Sequence, residues 1–344
     1  MTNREIAEKL NVSPSTLSLI LNHKGNISDE TRNRVLTEIK EMGYEHLIKK
    51  EEVQIRKNIL FVVYKRRQTI LGEKASYIFL LKGIENVVVE RGYNLFLSII
   101  LEGEDVKEQV SRLMCMSSEG MILYATEMIE DDMKYFSDYA KPMVVIDNDF
   151  PHLDCTCIYS NYISAGYQAV SYLRKMGHTR IGYLRSGLRL RCFELRELGY
   201  RMALREFGMD FEEKDIWDID LLTDEMVKKG YERKIRTCDD LPTAFVSDED
   251  VIACEAIHCF KENGIRVPEQ VSVMGYNDGP LAEKMIPPLT TICGFGTDYL
   301  HKAVSELLFE IECAGQNMEP HYGCKVMTGT ALIERASVKN RNKK

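Results

Sequence analysis

The 344-residue chain has no cysteine in its first hundred residues and no C-x-x-C pair among its 10 cysteines. Cys155 and Cys157 stand one residue apart, and the others are scattered as far as Cys324. That spacing excludes a zinc ribbon, a thioredoxin-like motif and a disulfide framework, leaving reduced thiols that act as small apolar side chains. No apolar run approaches the length of a membrane span. The opening MTNREIAEKL is polar and helical in pattern rather than a secretory signal, which predicts a cytoplasmic protein with no membrane partner. A basic excess is also missing, since the formal net charge is -8. Any nucleic acid must therefore be met by a small local surface. G-x-S-x-G, a Walker loop and metal-ligand spacing are all absent, so no enzyme, catalytic residue, metal or cofactor is expected. His178, in Gly177-His178-Thr179-Arg180, is the most enzyme-like side chain, and no nucleophile pattern accompanies it.

What is present suits a packed soluble body of two or three domains, with 44% hydrophobic and 28% charged residues. Residues 1–44 read as three short helices. The first runs from an N-cap at Asn3 through Leu10, with Ile6, Ala7 and Leu10 on one face. Ser13 caps the second, Pro14 takes its first position, and Leu17, Ile20 and Leu21 form its buried stripe. Ser28 caps the third, with Asp29 and Glu30 at its positive end, Val35, Leu36, Ile39 and Met42 as its stripe, and Gly43 as its stop. Joined through the tight Asn11-Val12-Ser13 turn, the first two helices suit a helix-turn-helix. Its second helix would offer Ser13, Ser15, Thr16 and Ser18 to phosphates and base edges. A three-helix bundle with no nucleic-acid role fits the same pattern.

A charged stretch, 45–57, reads as a hinge or linker. Beyond it short apolar runs alternate with amphipathic segments. Strands are expected at 59–63, 95–100, 121–124, 143–147, 180–184, 243–247 and 271–276, and helices at 77–91, 165–176, 194–207, 251–263 and 298–313. Such alternation implies parallel sheets covered on both faces. Over this length, two doubly wound lobes fit better than one sheet. The basic stretch 337–344 is expected to be a disordered tail.

The segment 4–45 resembles the headpiece of the LacI/GalR family of transcription regulators. Val12, Ser13, Thr16, Leu17, Ser18, Ile20, Leu21 and Asn22 match one of its motifs, and Ile27, Ser28, Thr31, Arg32 and Val35 the next; Gly43-Tyr44 closes it. The likeness continues through LLKGIENVVVERGYNLFL, PMVVIDND, LRKMGHTRIGYL, RELGYRMAL, PTAFVSDEDVIA, VPEQVSVMGYND and PPLTTI. It implies an all-α helix-turn-helix domain followed by a type I periplasmic-binding-protein-like α/β core at 58–336. That core would have one lobe near 58–159 and 293–323 and another near 160–292 and 324–336, linked by three crossovers and closing on a small-molecule effector. The implied function is a sequence-specific DNA-binding regulator, a repressor. It would bind a pseudo-palindromic double-stranded DNA operator as a homodimer under control of a sugar or sugar phosphate.

The resemblance assigns DNA contact to Ser13, Pro14, Ser15, Thr16, Ser18, Leu19, Asn22, Thr31 and Arg32. Base reading would fall to Pro14, Ser15 and Leu19. The position of Leu19 is commonly arginine in the family, which grips guanine through two bonds; Leu19 and Pro14 offer only apolar contact, and Leu19 reads equally as packing into the headpiece core. The hinge departs as well, with no proline, and Leu47 or Val53 would have to wedge into the minor groove. For the effector the resemblance implies Ser76, Tyr77, Asp147, Arg196, Glu249 and Asn277. Glu249-Asp250 stands where the family often has Asn-Asp, Asp250 reads as a helix cap rather than a ligand contact, and Asn277 replaces an acid, so an amide and an acid have changed places. Ser160-Asn161-Tyr162 blurs the register and receives no ligand role. A cytosolic small-molecule-binding protein with a degenerate headpiece remains the alternative.

Overall fold

In the computed structural model Thr2, rather than Asn3, caps the first helix, α1 (Asn3–Lys9). Its hydroxyl accepts from Glu5 N at 3.4 Å while Glu5 Oε2 accepts from Thr2 N at 2.7 Å. This reciprocal box satisfies two otherwise orphaned donors. Ser13 caps α2 (Pro14–Leu21) and Ser28 caps α3 (Asp29–Glu41), as their spacing predicts. Asn11, at φ 51°, turns the chain between α1 and α2 in a region that asparagine tolerates. Ile6, Ala7, Leu10, Leu17, Ile20, Leu21, Val35 and Ile39 form the buried core.

The structure describes residues 2–22, 24–25, 27–48, 56–66, 77–219, 224–238, 240–316 and 322–342, with the backbone alone at 77, 79 and 224. Two compact units result, Met1–Arg56 and Lys57–Lys344.

The second unit holds two six-stranded sheets. The first contains β1 (Asn58–Lys65), β2 (Asn94–Leu101), β3 (Gly120–Tyr124), β4 (Met143–Ile146), β5 (Thr156–Ser160) and β11 (Lys325–Thr328), in the order β11-β5-β4-β3-β1-β2 and parallel throughout. The second contains β6 (Ile181–Ser186), β7 (Ile216–Ile219), β8 (Ala244–Ser247), β9 (Ser272–Tyr276), β10 (Thr290–Cys293) and β12 (Ala331–Ile333), in the order β12-β10-β9-β8-β6-β7. This sheet too is parallel-dominated, as expected, and only β12 returns antiparallel, along β10.

Central strands are apolar on both sides, as a sheet covered on both faces requires. One apolar cluster packs α4 (Tyr77–Glu90) and α11 (Thr297–Gly315) on the first sheet, and a second packs α5 (Val106–Met114) on the opposite face. The second sheet lies between α6 (Tyr162–Lys175) with α7 (Arg191–Glu206) and α8 (Asp224–Thr237) with α9 (Asp250–Glu262).

Three crossovers join the sheets, after β5, β10 and β11. The third comes after Thr328 rather than after residue 323, because residues 325–328 pair with β5, Lys325 opposite Cys157 and Thr328 opposite Ser160. The tail also departs from expectation, for residues 337–342 are packed. Ser337 is fully buried; it donates to the Val273 carbonyl at 2.6 Å and accepts from Thr290 N at 2.8 Å. Arg341 N reaches the Met176 carbonyl at 2.7 Å. His178 belongs to this joint: Nε2 donates to the Lys339 carbonyl at 3.2 Å and Nδ1 faces Thr243 Oγ1 at 2.9 Å. Burial pulls its imidazole down to about 4, so it stands neutral. Local charge predicted a tail; long-range hydrogen bonds hold it.

Candidate ligand cleft and nucleic-acid interface

Open α/β sheets bind ligands beyond the carboxyl ends of their strands, where strand order reverses. In the first sheet that point lies between β1 and β3, and in the second between β6 and β8. Four of the six effector positions lie beyond such strand ends: Asp147 after β4, Glu249 after β8, Asn277 after β9, and Arg196, brought there by α7. Tyr77 opens α4, without a described side chain, and Ser76 lies outside the described residues.

Asp147 sits at φ 63° and is buried. Its carboxylate accepts from Thr126 Oγ1 and, at 2.5 Å, from the Tyr162 hydroxyl. Burial raises its pKa, against those two donors and Arg196, which favour the charged form.

Arg196 is placed by two glycines. A Cβ at Gly166 would collide with the Arg196 carbonyl, and one at Gly199 with the Ile163 carbonyl, so α6 and α7 meet backbone to backbone. The buried guanidinium then lies with Cζ 3.5 Å from the Tyr276 ring centroid, 5.3 Å from that of Tyr162 and 5.4 Å from that of Phe193. Nη1 donates to the Asp248 carbonyl at 2.5 Å, while Nε is buried without a partner. Tyr162 thus binds the first lobe's Asp147 by its hydroxyl and the second lobe's Arg196 by its ring.

The neighbouring acids divide by use. Asp248 accepts from Tyr183 Oη at 2.6 Å and Ser186 N at 2.7 Å. Asp250 accepts from Thr291 Oγ1 at 2.6 Å and Gly279 N at 2.8 Å, tying α9 to β10 instead of capping its own helix. Both are committed to the scaffold. Glu249 Oε1 and Asn277 Oδ1, by contrast, are buried without hydrogen-bond partners. Burial pushes the Glu249 carboxyl up to about 8, against Arg196 and with help from the charges of Asp248 and Asp250. Near neutral pH it is chiefly protonated and can donate as well as accept.

A cavity of about 680 Å³ has Thr126, Asn148 and Asp149 from one lobe and Arg189 and Arg191 from the other in its wall; Asp147, Arg196 and Glu249 do not line it, and Asn277 lines a separate pocket of about 320 Å³ with Asp278, Phe295 and Arg335. Arg191 holds Asp149 across the larger cavity through Nε to Oδ1 and Nη2 to Oδ2, both at 3.2 Å. Sequence reasoning passed over Tyr162, Thr126, Asp149 and Arg191. For Tyr162 the available signal was Asn161 as a helix cap, whose Oδ1 accepts from Ser164 N at 2.9 Å and fixes where α6 begins.

In the headpiece unit, Ser13, Pro14, Ser15, Ser18 and Leu19 lie exposed along α2. Ser13 Oγ lies 2.7 Å from both Ser15 Oγ and Thr16 Oγ1. Leu19 is 40% exposed and lies against Gly25 rather than in the core. Asn22 turns back on its own helix, donating to the Ser18 carbonyl at 2.5 Å. Thr31 accepts from Ser28 Oγ at 2.8 Å. Arg32 donates to the Gly25 carbonyl at 3.1 Å, which assigns it to holding the loop between α2 and α3. Leu47 packs against the headpiece core, and Val53 lies outside the described residues.

Residues 2–46 match bacterial regulatory proteins, lacI family, and residues 170–338 match a periplasmic binding protein-like domain. The HTH-type transcriptional repressor PurR of Haemophilus influenzae (strain PittEE) is 27% identical, over 98% of this chain and 99% of its own. The ribose operon repressor of Haemophilus influenzae is 28% identical, over 97% and 98%. Among solved structures, the complex of the transcriptional regulator CelR with cellobiose superposes with a TM-score of 0.69 at 24% identity, covering 98% of this chain and 99% of that one. A lac repressor dimer bound to operator and the anti-inducer ONPF gives 0.68 at 20%, with the same coverage. The described residues include no helix long and apolar enough to cross a membrane.

Proposed function

The chain belongs to the lacI family of bacterial regulatory proteins, and we propose that it is a cytoplasmic repressor whose hold on DNA is set by a small molecule bound between its two lobes. It is a DNA-binding transcriptional regulator with an effector domain. In this reading two copies meet a pseudo-palindromic operator, since one short headpiece makes few phosphate contacts and a two-fold pair doubles them. Effector and operator affinities are then linked reciprocally.

One observation carries the ligand half of the reading. Arg196 Nε, Glu249 Oε1 and Asn277 Oδ1 are all buried and unpartnered near the carboxyl ends of the second sheet. Buried polar groups ordinarily have partners, and an unmade bond costs about 1–3 kcal/mol. A fixed cation and a neutral acid beside aromatic rings suit the alternating donors and acceptors of a sugar's hydroxyls, and Arg196 suits a phosphate equally. The relative named as a ribose operon repressor and the CelR–cellobiose complex agree with that class.

The apolar surfaces of Pro14 and Leu19 favour a half-site read partly through thymine methyls. A gel shift against the DNA upstream of the protein's own gene, repeated across salt concentrations, tests the DNA half. Equal affinity for random sequence would instead favour a small-molecule-binding protein with a degenerate headpiece, because non-specific binding is weak and salt-labile. A thermal-shift screen of sugars, sugar phosphates and purines tests the ligand half, a bound effector raising Tm by mass action.

A further inference from the structure

At the amino-terminal end of β5, side chains from two strands meet away from the cleft. Cys155 Sγ lies 3.6 Å from Cys157 Sγ. Lys325, paired in register with Cys157, brings Nζ to 3.5 Å from Cys155 Sγ and 3.1 Å from Cys157 Sγ, and donates to the Cys155 carbonyl at 2.8 Å. Cys155 lies in the bend just before β5 and Cys157 on the strand itself, and Lys325 reaches both sulfurs from the neighbouring strand. Their exposure differs: Cys157 is buried and Cys155 is half-buried, within reach of solvent. A thiolate is the reacting form of cysteine, a neighbouring ammonium favours it, and an adjacent second thiol is what resolves its first oxidation product.

We propose that Cys155 and Cys157 form a peroxide-reactive dithiol, with Cys155 attacking, Cys157 resolving and Lys325 stabilising the attacking thiolate. The Cys155 sulfur attacks one peroxide oxygen and the O–O bond breaks. The departing hydroxide takes a proton to become water, and Cys155 is left as the sulfenic acid. Cys157 sulfur then attacks that sulfur. The S–S bond forms, the S–O bond breaks, and hydroxide leaves with the Cys157 proton as a second water. Two thiols lose two electrons, which reduce the peroxide. The two sulfurs start 3.6 Å apart and must close to about 2.05 Å. The surroundings act in the same direction. The Cys157 thiol donating to Cys155, with Lys325 adding to it, draws the Cys155 thiol down to about 7, while the same hydrogen bond and burial push Cys157 up.

Substoichiometric hydrogen peroxide added to the reduced full-length protein, followed by peptide mapping, tests this. The peptide carrying both residues should lose the mass of two hydrogens before any other cysteine changes. Cys157→Ser should leave Cys155 as a sulfenic acid that dimedone captures. Lys325→Met should slow the oxidation by about tenfold and move the pH midpoint of Cys155 alkylation by iodoacetamide upward. Because Lys325 is exposed, that variant reports even if Cys157→Ser fails to fold. First oxidation at the exposed Cys115 or Cys324, or an unchanged rate in Lys325→Met, overturns the proposal.

Discussion

Arg191, at the start of α7, grips Asp149, just beyond β4, through two hydrogen bonds of 3.2 Å that cross from one lobe to the other. The arginine is 44% exposed and the aspartate 15%, so solvent screens the pair and its contribution to closure is about 1 kcal/mol or less. Asp149→Asn should therefore weaken effector binding only a few-fold. Small-angle scattering of the variant should show a larger share of open lobes without ligand. Unchanged affinity together with unchanged scattering would remove the latch from the account.

Arg196 is held by stacking as much as by charge, lying over Tyr276 with Cζ 3.5 Å from the ring centroid. Arg196→Lys keeps the charge and loses the planar fork and the stack. Both Arg196→Lys and Arg196→Ala should lose the thermal stabilisation by whichever ligand the screen identifies. A lysine variant that still responds fully would show that charge alone suffices.

Glu249 titrates on folding in an unusual direction. Burial raises its carboxyl from 4.5 to about 8, so between those values the folded protein binds more protons than the unfolded chain. Stability should fall as pH rises through that window. Asp250, raised to about 7, and Asp248, raised to about 6, add to the fall at lower pH. His178, lowered from 6.5 to about 4, opposes it only below about 6.5. Melting curves between pH about 6.5 and about 8 should slope downward, and Glu249→Gln should flatten them. Equal slopes in the two proteins would mean that Glu249 ionises freely in the fold.

Two alanine substitutions should behave oppositely although both replace helical glycines. Gly166→Ala forces a Cβ into the Arg196 carbonyl and should cost about 1–3 kcal/mol. Gly230→Ala meets nothing nearer than Ile219 Cδ1 at 3.9 Å and should be neutral or stabilising by up to about 1 kcal/mol. Denaturant unfolding measures both, and comparable losses would remove the close α6–α7 contact as the explanation.

Leu19 stands exposed on α2. Leu19→Arg should add about 1–3 kcal/mol of preference for half-sites with a guanine under that position. Selection from randomised half-sites reads this directly. The same preferred sequences for both proteins would take Leu19 off the base-reading face.

The headpiece was legible because its signals are local. Ser13, Pro14 and Ser28 announce helix starts within a few residues of what they cap, and Leu17, Ile20 and Leu21 repeat at helical spacing. The seven strands read from apolar runs are present, whereas Thr156–Ser160, Ile216–Ile219, Thr290–Cys293 and the last two strands were missed. Those five are short, and Thr156, Asp218 and the paired Thr290-Thr291 interrupt or open their apolar runs. Their strand character comes from neighbours far away in the chain.

Periodicity, capping and motif order in the sequence determined a helix-turn-helix reader followed by a two-lobed α/β core, because helices and buried strands are encoded over a few neighbouring residues. Which polar groups remain available for a ligand was decided only by the tertiary structure. Glu249 and Asp250 are adjacent in the chain, yet Asp250 is bound to Thr291 and Gly279 while Glu249 Oε1 has no partner. Arg32 looks like a DNA contact and holds a loop, and the basic tail looks loose and is tied to Thr290 and Met176. The reason is the same in each case: whether a polar atom has a partner depends on what the folded chain brings within about 3 Å of it, and sequence distance carries no information about that.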